Sequence, residues 1–265
     1  MQFQPIYSEE WALKLKRTPT GIPGFDEMCE GGLVKDRVYI VVGEAGSGKT
    51  VFGLEFLYNG ATKYNEPGIL VSFEEEPDDI RVNAMRFGWD LNKLEKDKKL
   101  FIGDLSPRSV IGSRVFTLDS DHFDLSGLHI GLEGMVKKIG AKRVVLDPIS
   151  VLFLQLQNAG IIRRELALIG ARLGELGCTT IYITEKPAGQ ESISRFGVEE
   201  FVAHGVILLS YKADALGARK RYMEILKLRG TKHVSGRARY VMITGKGLQV
   251  FPSTDQILEL PEEED

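Results

Sequence analysis

The sequence predicts an α/β fold in which a mostly parallel central sheet is flanked by helices and followed by an antiparallel extension. Up to about residue 200, short apolar runs alternate with segments whose apolar residues recur at helical spacing. Such runs are typical of parallel strands that are buried on both faces. They cover residues 38–42, 69–73, 101–102, 143–147 and 178–184. From Gly205 onward, apolar runs follow one another without a helical segment between them, which indicates a meander of antiparallel strands.

Three of the intervening helices carry clear sequence signals. Pro77 and the two aspartates that follow it suit a first helical turn, because proline has no N–H to lose there and carboxylates favour the positive end of the helix dipole. Apolar residues recur at steps of three and four over residues 125–139 and 162–176, as on the buried face of a surface helix. Before the first strand lies a turn-rich lead-in, residues 20–27, in which we expect Asp26 to cap a short helix.

The composition is that of an ordinary globular chain. Of the 265 residues, 43% are hydrophobic and 27% are charged, and the net charge is −3, which gives no general attraction to nucleic acid. Cys29 and Cys178 have no metal-type spacing and fit a reducing compartment. No apolar run is long enough to span a bilayer, and residues 1–17 lack the apolar core of a signal peptide. We therefore expect a cytoplasmic protein without a membrane partner.

One main domain is expected, because no internal repeat is visible. It would cover residues 17–252, after an N-terminal segment (1–16) and before an acidic C-terminal tail (253–265). The N-terminal segment carries Trp11 and other apolar residues among charges. It fits either a segment packed on its own domain or an arm on a neighbouring subunit, and we favour the first.

Residues 43–50 are the most informative stretch. They read Gly-Glu-Ala-Gly-Ser-Gly-Lys-Thr and fit G-x-x-x-x-G-K-[ST], the phosphate-binding loop of nucleoside triphosphatases. The loop lies between a strand and a helix, where backbone N–H groups and the helix dipole surround phosphates. Lys49 would lie along the β- and γ-phosphates, and the Thr50 hydroxyl would bind Mg²⁺. The predicted nucleotide ligands here are Gly43, Ala45, Gly46, Ser47, Gly48, Lys49, Thr50 and Val51.

Carboxylates follow two further strands. Asp147 ends an apolar run, the Walker B pattern, whose aspartate holds Mg²⁺. The next residue, where many P-loop families have their catalytic glutamate, is Pro148. Glu74 and Glu75 follow another strand, at the edge where α/β sheets bind ligands. We therefore predict that Thr50 and Asp147 hold the metal and that Glu74 or Glu75 orients the attacking water.

Several motifs, in this order, resemble those of the KaiC family, within the RecA-like P-loop ATPases. The resemblance extends from about residue 17 to residue 252, nearly the whole chain. Besides the phosphate-binding loop, the motifs are TGIPGFDE at 20–27, FEE at 73–75, FGWDL at 87–91, GVEEFV at 197–202 and LKLRGTKH at 226–233.

This resemblance implies a RecA-like domain in a hexameric ring, with ATP bound between subunits and Glu74 and Glu75 as the pair that activates water. It implies that Lys227 and Arg229 touch the γ-phosphate of the neighbouring subunit's nucleotide. The remaining implied nucleotide contacts are Arg86, Leu228, Thr231 and His233. The cofactors would be ATP and Mg²⁺, and the catalytic residues Lys49, Glu74, Glu75 and Arg229.

Residue chemistry supports the role of the cationic pair. Lys227 and Arg229 are two residues apart at a predicted strand end, so both side chains project from one face. The phosphate-binding loop already supplies Lys49 in cis, so a second pair suits an arginine finger that acts on a neighbouring copy. Without the resemblance, a basic strand end exposed to solvent fits equally well.

The chain departs from the family pattern at several positions. Glu200 and Phe201 stand where a two-domain family member carries a Ser and Thr pair that becomes phosphorylated, which removes the acceptor hydroxyls there. His204 and Gly245 each replace a usual aspartate, and the second change leaves base recognition unassigned.

Two other functions fit the sequence. A nucleotide-gated module would use its ATP state to control an unidentified protein partner. A RecA-like protein that binds single-stranded DNA would direct loops near residues 155–164 and 186–195 into a central channel. The cations of these loops are Arg163, Arg164, Lys186 and Arg195. The acidic balance and the lack of an aromatic stacking platform in these loops count against DNA binding.

Overall fold

The computed structural model describes residues 15–106, 125–155, 159–186, 202–213 and 219–252. Over these ranges the chain builds one nine-stranded sheet. A separate antiparallel ribbon joins β1 (Arg17–Thr18) to β2 (Leu33–Val34). Most of the predicted N-terminal segment, the whole acidic tail and the motif residues 197–201 lie outside the described ranges. No helix in the described part of the chain is long and apolar enough to cross a membrane.

The parallel part of the large sheet contains six strands within the described ranges. They are β3 (Val38–Gly43), β4 (Gly68–Ser72), β5 (Leu100–Asp104), β6 (Arg143–Asp147), β7 (Thr179–Glu185) and β8 (Gly205–Ala213). Their spatial order is β8-β3-β7-β6-β4-β5, and each neighbouring pair is parallel. Every residue of β3, β4 and β6 is buried, so their apolar runs are continuous rather than alternating.

The antiparallel extension continues the sheet beyond β8. It consists of β9 (Arg219–Leu228), β10 (Arg237–Ile243) and β11 (Gly247–Phe251), each antiparallel to the strand before it. The predicted hairpin joins the last two strands, with Ile243 opposite Gly247. The predicted fold class, a mostly parallel sheet with an antiparallel extension, is confirmed.

Helices cover both faces of the sheet and create two cores. One core contains residues from α1 (Lys49–Lys63), α2 (Pro77–Met85) and α3 (Leu91–Lys96). The other contains residues from α4 (Leu125–Ile139), α5 (Ser150–Gln155) and α6 (Ala159–Glu175). Neighbouring β3 residues alternate between the two cores, as the pleat of a strand requires. Phe52 and Phe56 of α1 are fully buried, and each burial contributes roughly 1.5–3 kcal/mol.

Two local predictions were wrong. Asp26 is the first residue of a single-turn 3-10 helix, Asp26–Cys29, and its carboxylate does not cap that helix. The carboxylate instead bonds to residues that precede the helix. It accepts hydrogen bonds from Thr20 N–H (2.9 Å), the Thr20 hydroxyl (2.7 Å) and Gly21 N–H (2.8 Å). The expected loop at 155–164 is largely helical, because α6 begins at Ala159. Its apolar face packs in the second core, and Arg164 pairs with Glu165 at 2.9 Å.

Candidate functional site

The loop between β3 and α1 starts at the carboxyl edge of the parallel strands. Gly43 pairs there with Glu185 of β7 and Leu209 of β8. A Cβ atom on Gly43 would lie 2.4 Å from the Leu209 carbonyl oxygen, so a larger residue would push the loop away from β8. Gly48 precedes α1 with a φ of 93°, a left-handed conformation that favours glycine. The loop therefore presents the N-terminus of a long helix to the crevice, where its N–H groups are available to an anion.

Lys49 is a buried cation at the start of α1. Its Nζ donates to the carbonyl oxygen of Glu44 at 3.0 Å. Burial lowers the pKa of this ammonium, and the negative charges of Glu185, Asp147 and Glu74 partly oppose that shift. A buried ammonium is costly without an anionic partner. Phosphate oxygens would supply one.

Asp147 is a buried carboxyl at the end of β6. Burial, the largest effect, raises the pKa of this carboxyl to about 7. The hydrogen bond with Thr50 and the charge of Lys49 lower the pKa, whereas the charges of Glu75 and Glu74 raise it. The side chain therefore lacks enough positive charge around it to ionise at its usual pH. A divalent cation beside Asp147 would supply that charge.

The predicted metal ligands and the predicted water-orienting residues line one small cavity of about 40 Å³. This is room for at least one water molecule. The Phe73 N–H donates to the Asp147 carbonyl oxygen at 2.8 Å, and the Ser72 hydroxyl donates to the Glu75 carbonyl oxygen at 2.6 Å. The first bond joins the end of β4 to the end of β6, and the second fixes the turn that carries Glu74 and Glu75. The cavity is lined by Thr50, Leu70, Ser72, Glu74, Glu75, Ile80, Asp147 and Pro148.

The ligand set suits Mg²⁺ shared with a phosphate. Within the described ranges, no group of three or more His, Cys, Asp or Glu side chains forms a metal cage. Mg²⁺ does not need one, since it usually binds one or two protein oxygens and completes its shell with water and substrate phosphates. Thr50 and Asp147, joined by their hydrogen bond, offer that pair of oxygens.

A larger cavity of about 390 Å³ adjoins the start of α1, within the size range of small-molecule sites. Its walls come from α1, α2 and the antiparallel extension. The predicted residues Thr50, Val51, Glu75 and Arg86 line it, together with Leu54, Ile80, Asn83, Phe87, Arg221, Met242 and Thr244. The sequence reasoning missed the contributions of Asn83, Arg221, Met242 and Thr244. A strand pairing brings Arg221 here, and only its place in a basic run, residues 219–221, hinted at a role.

Lys227 and Arg229 lie at the opposite edge of the sheet from their own phosphate-binding loop. Gly43 aligns through Leu209 with Met223, near the start of β9. Five residues later, β9 ends at Leu228, which aligns with the amino end of β3. At 3.2–3.4 Å per strand residue, the two edges are roughly 16 Å apart. The structure therefore does not bring these two cations to the phosphates of their own chain.

Main-chain contacts hold the segment that carries this pair. The Lys227 ammonium donates to the Ala203 carbonyl oxygen at 2.8 Å. The Arg229 N–H donates to the His204 carbonyl oxygen at 2.8 Å, and its own carbonyl oxygen accepts from Arg37 at 2.7 Å. The Arg229 side chain is exposed at this edge. The Arg229 guanidinium is thus accessible to a neighbouring molecule.

The other predicted residues of this segment differ in exposure. Leu228 is buried in its own core, so its side chain does not face outward. The Thr231 hydroxyl contacts the Glu30 carboxylate, which also accepts from Lys232 N–H at 3.2 Å. His233 is half-buried. Glu30, just after the lead-in, thus helps to hold this segment in place.

Known proteins share this architecture. The profile of a family described as "ATPase: KaiC" matches residues 18–255. A circadian clock oscillator protein KaiC of Parasynechococcus marenigrum (strain WH8102) is 43% identical over 256 residues, which cover 95% of this chain and 48% of that protein. The KaiC protein of Synechococcus elongatus (strain ATCC 33912 / PCC 7942 / FACHB-805) is 42% identical over 249 residues, or 92% of this chain and 46% of that protein.

The fold also matches a solved structure. The crystal structure of a KaiC-like protein from the archaeon Pyrococcus horikoshii OT3 superposes with a TM-score of 0.77 at 36% identity. The match covers 90% of this chain and 100% of that one. By contrast, this chain spans about half the length of the curated relatives it matches.

Proposed function

Because the chain belongs to the KaiC family of ATPases, we propose that it is a slow Mg²⁺-dependent ATPase that binds ATP between adjacent subunits of a hexameric ring. The observation that carries this proposal is the position of Lys227 and Arg229. They lie at the edge of the sheet opposite their own phosphate-binding loop. A head-to-tail ring places one edge of each subunit against the other edge of the next. Each ATP would then receive Lys49 from one subunit and Arg229 from its neighbour.

Residues of the loop would bind the phosphates, and residues of the small cavity would bind the metal ion. Lys49 and the N–H groups at the start of α1 would hold the β- and γ-phosphates. Thr50 and Asp147 would hold Mg²⁺, which neutralises developing charge on the phosphates when bound. The adenosine part would occupy the larger cavity beside Val51 and Arg86.

Glu74 and Glu75 would orient the attacking water. Both line the small cavity together with the predicted metal ligands, and Pro148 has no carboxylate to offer. A carboxylate within reach of a water aligns it for attack and accepts its proton. Arg229 of the neighbouring subunit would stabilise the charge that develops on the transferred phosphoryl group, an effect worth roughly 10³–10⁵ in rate in other nucleotide hydrolases.

Mixing two inactive variants tests the shared site. Lys49→Ala removes the phosphate ligand in cis, and Arg229→Ala removes the charge offered in trans, so each variant alone should lose most turnover. In a randomly mixed ring, about a quarter of the interfaces combine an intact loop from one variant with an intact Arg229 from the other. Phosphate release should therefore recover to about a quarter of the wild-type rate.

Two controls make the mixing result interpretable. Arg229→Ala alone should bind ATP nearly as well as wild type, because its own loop is unchanged. Arg172→Ala removes a surface arginine that pairs with Glu133 and Glu175 and should leave turnover unchanged. No recovery in rings that demonstrably contain both variants would contradict the shared site, as would full turnover in a strictly monomeric preparation.

A further inference from the structure

Two tyrosines of the antiparallel extension contact the phosphate-binding loop from outside its motif. The Tyr211 hydroxyl donates to the carbonyl oxygen of Gly46, and the Tyr240 hydroxyl donates to that of Ser47. These tyrosines are separated from their partners by 165 and 193 residues of chain. Only the tertiary structure brings them to the loop.

Both tyrosines belong to one row of side chains across three strands. Tyr211 of β8 lies opposite Arg221 of β9, which lies opposite Tyr240 of β10. Directly opposite residues of paired strands project from the same face, and Tyr240 belongs to the core that contains α1. The Arg221 guanidinium lies 5.2 Å from the centre of the Tyr211 ring, a contact that restricts the ring. The three side chains therefore pack together beside the phosphate-binding loop.

The Tyr240 hydroxyl is a buried hydrogen-bond donor. Tyr240 is 1% exposed, and burial raises the pKa of its phenol above the usual range. The group stays protonated at physiological pH and so continues to donate to the Ser47 carbonyl oxygen. Without the hydroxyl, that carbonyl would lose this partner, and a buried acceptor without a partner is costly.

These two carbonyl groups need to be held. Gly46 and Gly48 flank the peptide units concerned, with φ values of 74° and 93°. Because glycine crosses between conformations easily, these peptide units would turn readily if nothing fixed them. In a planar trans peptide the C=O and the following N–H point in opposite directions. A turned Ser47–Gly48 unit would aim a carbonyl oxygen, instead of the Gly48 N–H, at the phosphates. A turned Gly46–Ser47 unit would also lose the hydrogen bond from the Ser47 N–H to the Glu44 carbonyl oxygen (3.2 Å).

We propose that Tyr211 and Tyr240 are positioning residues that hold the phosphate-binding loop in its binding conformation before the nucleotide arrives. The proposal deepens the proposed function and rests on its assignment of the phosphates to this loop. A loop held in advance does not have to be ordered on binding, which increases affinity for the ligand. The benefit should appear for ligands that carry phosphates and be absent for adenosine, which has none.

Single-atom substitutions in the full chain test this role. Tyr240→Phe and Tyr211→Phe each remove one hydroxyl and keep the ring. The probe is Mg²⁺ with adenylyl imidodiphosphate, a non-hydrolysable ATP analogue, and its dissociation constant is measured by titration calorimetry. Each variant should bind about three- to tenfold more weakly, the size of one lost hydrogen bond. Adenosine, measured by competition, should bind within twofold of wild type.

Tyr182→Phe is the matched control. Tyr182 is fully buried and donates to the Leu166 carbonyl oxygen at 2.9 Å, but it lies in the core on the other face of the sheet. This variant should lower the unfolding midpoint and leave the affinity for the analogue unchanged. The proposal is wrong if Tyr211→Phe and the double variant bind the analogue within twofold of wild type. It is equally wrong if analogue and adenosine weaken together.

If Tyr240→Phe does not fold, the affinity of Tyr211→Phe for the analogue decides the question. Tyr211 is only half-buried, so its substitution should not prevent folding. Failure of the mixed-ring experiment would not disturb this test, since the analogue is bound without turnover. Failure here, with wild-type chain that binds the analogue normally, would leave the shared site intact.

Discussion

At the scale of single residues, buried charged groups outside the phosphate-binding loop need a structural explanation. Glu55 of α1 is 2% exposed, and its carboxylate accepts a hydrogen bond from Leu248 N–H at 2.7 Å. It lies against the last hairpin, since a Cβ atom on Gly247 would be 2.5 Å from its Oε2. Burial raises the pKa of this carboxyl to about 7, against the opposing effects of the Leu248 N–H, Lys63 and Asn59. Ionisation of Glu55 is therefore coupled to folding.

The sign of this coupling gives a pH-dependent stability. The folded-state pKa exceeds the unfolded value near 4.5, so the stabilisation by the protonated carboxyl is complete below about pH 4.5 and is lost as the pH rises through 7. Glu55→Gln keeps an acceptor for Leu248 and does not titrate. Between pH 5 and 8, the free energy of unfolding should fall by roughly 2.5 kcal/mol more in wild type than in this variant. Urea unfolding of nucleotide-free protein at both pH values measures the difference; equal pH slopes would contradict it.

At the scale of elements, the helix that follows the loop is fastened to the strand that carries Asp147. Arg143 begins β6 and is fully buried. Its guanidinium donates to the Phe56 carbonyl oxygen of α1 at 2.8 Å and to Glu66 at 2.8 Å, and it lies 4.5 Å from the centre of the Phe56 ring. Arg143 at the start of β6 thus binds α1, and Asp147 at the end of β6 forms a hydrogen bond with Thr50. This contact therefore helps to fix α1 against β6, the two elements that carry Thr50 and Asp147.

Removing that fastening should be costly. Arg143→Met keeps much of the side-chain volume and leaves the Glu66 carboxylate and the Phe56 carbonyl without their cationic partner. We expect the free energy of unfolding to fall by about 3–5 kcal/mol, the cost of breaking a buried pair. Arg172→Met changes an exposed arginine of a surface network and should cost about 1 kcal/mol or less. Equal losses in chemical denaturation would show that Arg143 is not an anchor.

At the scale of the whole molecule, the sheet separates the two groups of residues to which the proposed function assigns roles. The phosphate-binding loop, Glu75 and Asp147 lie at the carboxyl edge of the parallel strands. Lys227, Arg229 and Thr231 lie at or beyond the far end of β9. If the two edges carry complementary halves of one site, as proposed, the molecule suits head-to-tail assembly, which closes into a ring when the rotation allows.

Mass measurement tests the closed ring directly. Light scattering of the full chain with Mg²⁺ and ATP should give a mass near six times 29.5 kDa, because nucleotide bound between subunits stabilises the assembly by mass action. Lys49→Ala, which weakens phosphate binding, should shift the population toward smaller species under the same conditions. A monomeric mass at all nucleotide and protein concentrations would contradict the ring and, with it, the shared site.

Several features were readable in the sequence because they depend on local order. The apolar runs, the glycines and lysine at residues 43–50, and Pro77 at a helix start each reflect the chemistry of neighbouring residues, and the structure confirms the elements that they predict. The exceptions are also local. Asp26 was misjudged because its helix is a single 3-10 turn. Residues 159–164 were misjudged because the helix that packs in the second core begins at Ala159.

The sequence by itself thus determined a phosphate-binding loop, a set of carboxylates at strand ends and a cationic pair at the end of a later strand. Only the tertiary structure decided that this pair lies at the opposite edge of the sheet from its own loop, and that Arg221, Tyr211 and Tyr240 lie beside that loop. The physical reason is strand pairing. Register across a sheet joins residues that are far apart in the chain, and no local pattern around Tyr240 records which loop its hydroxyl will meet.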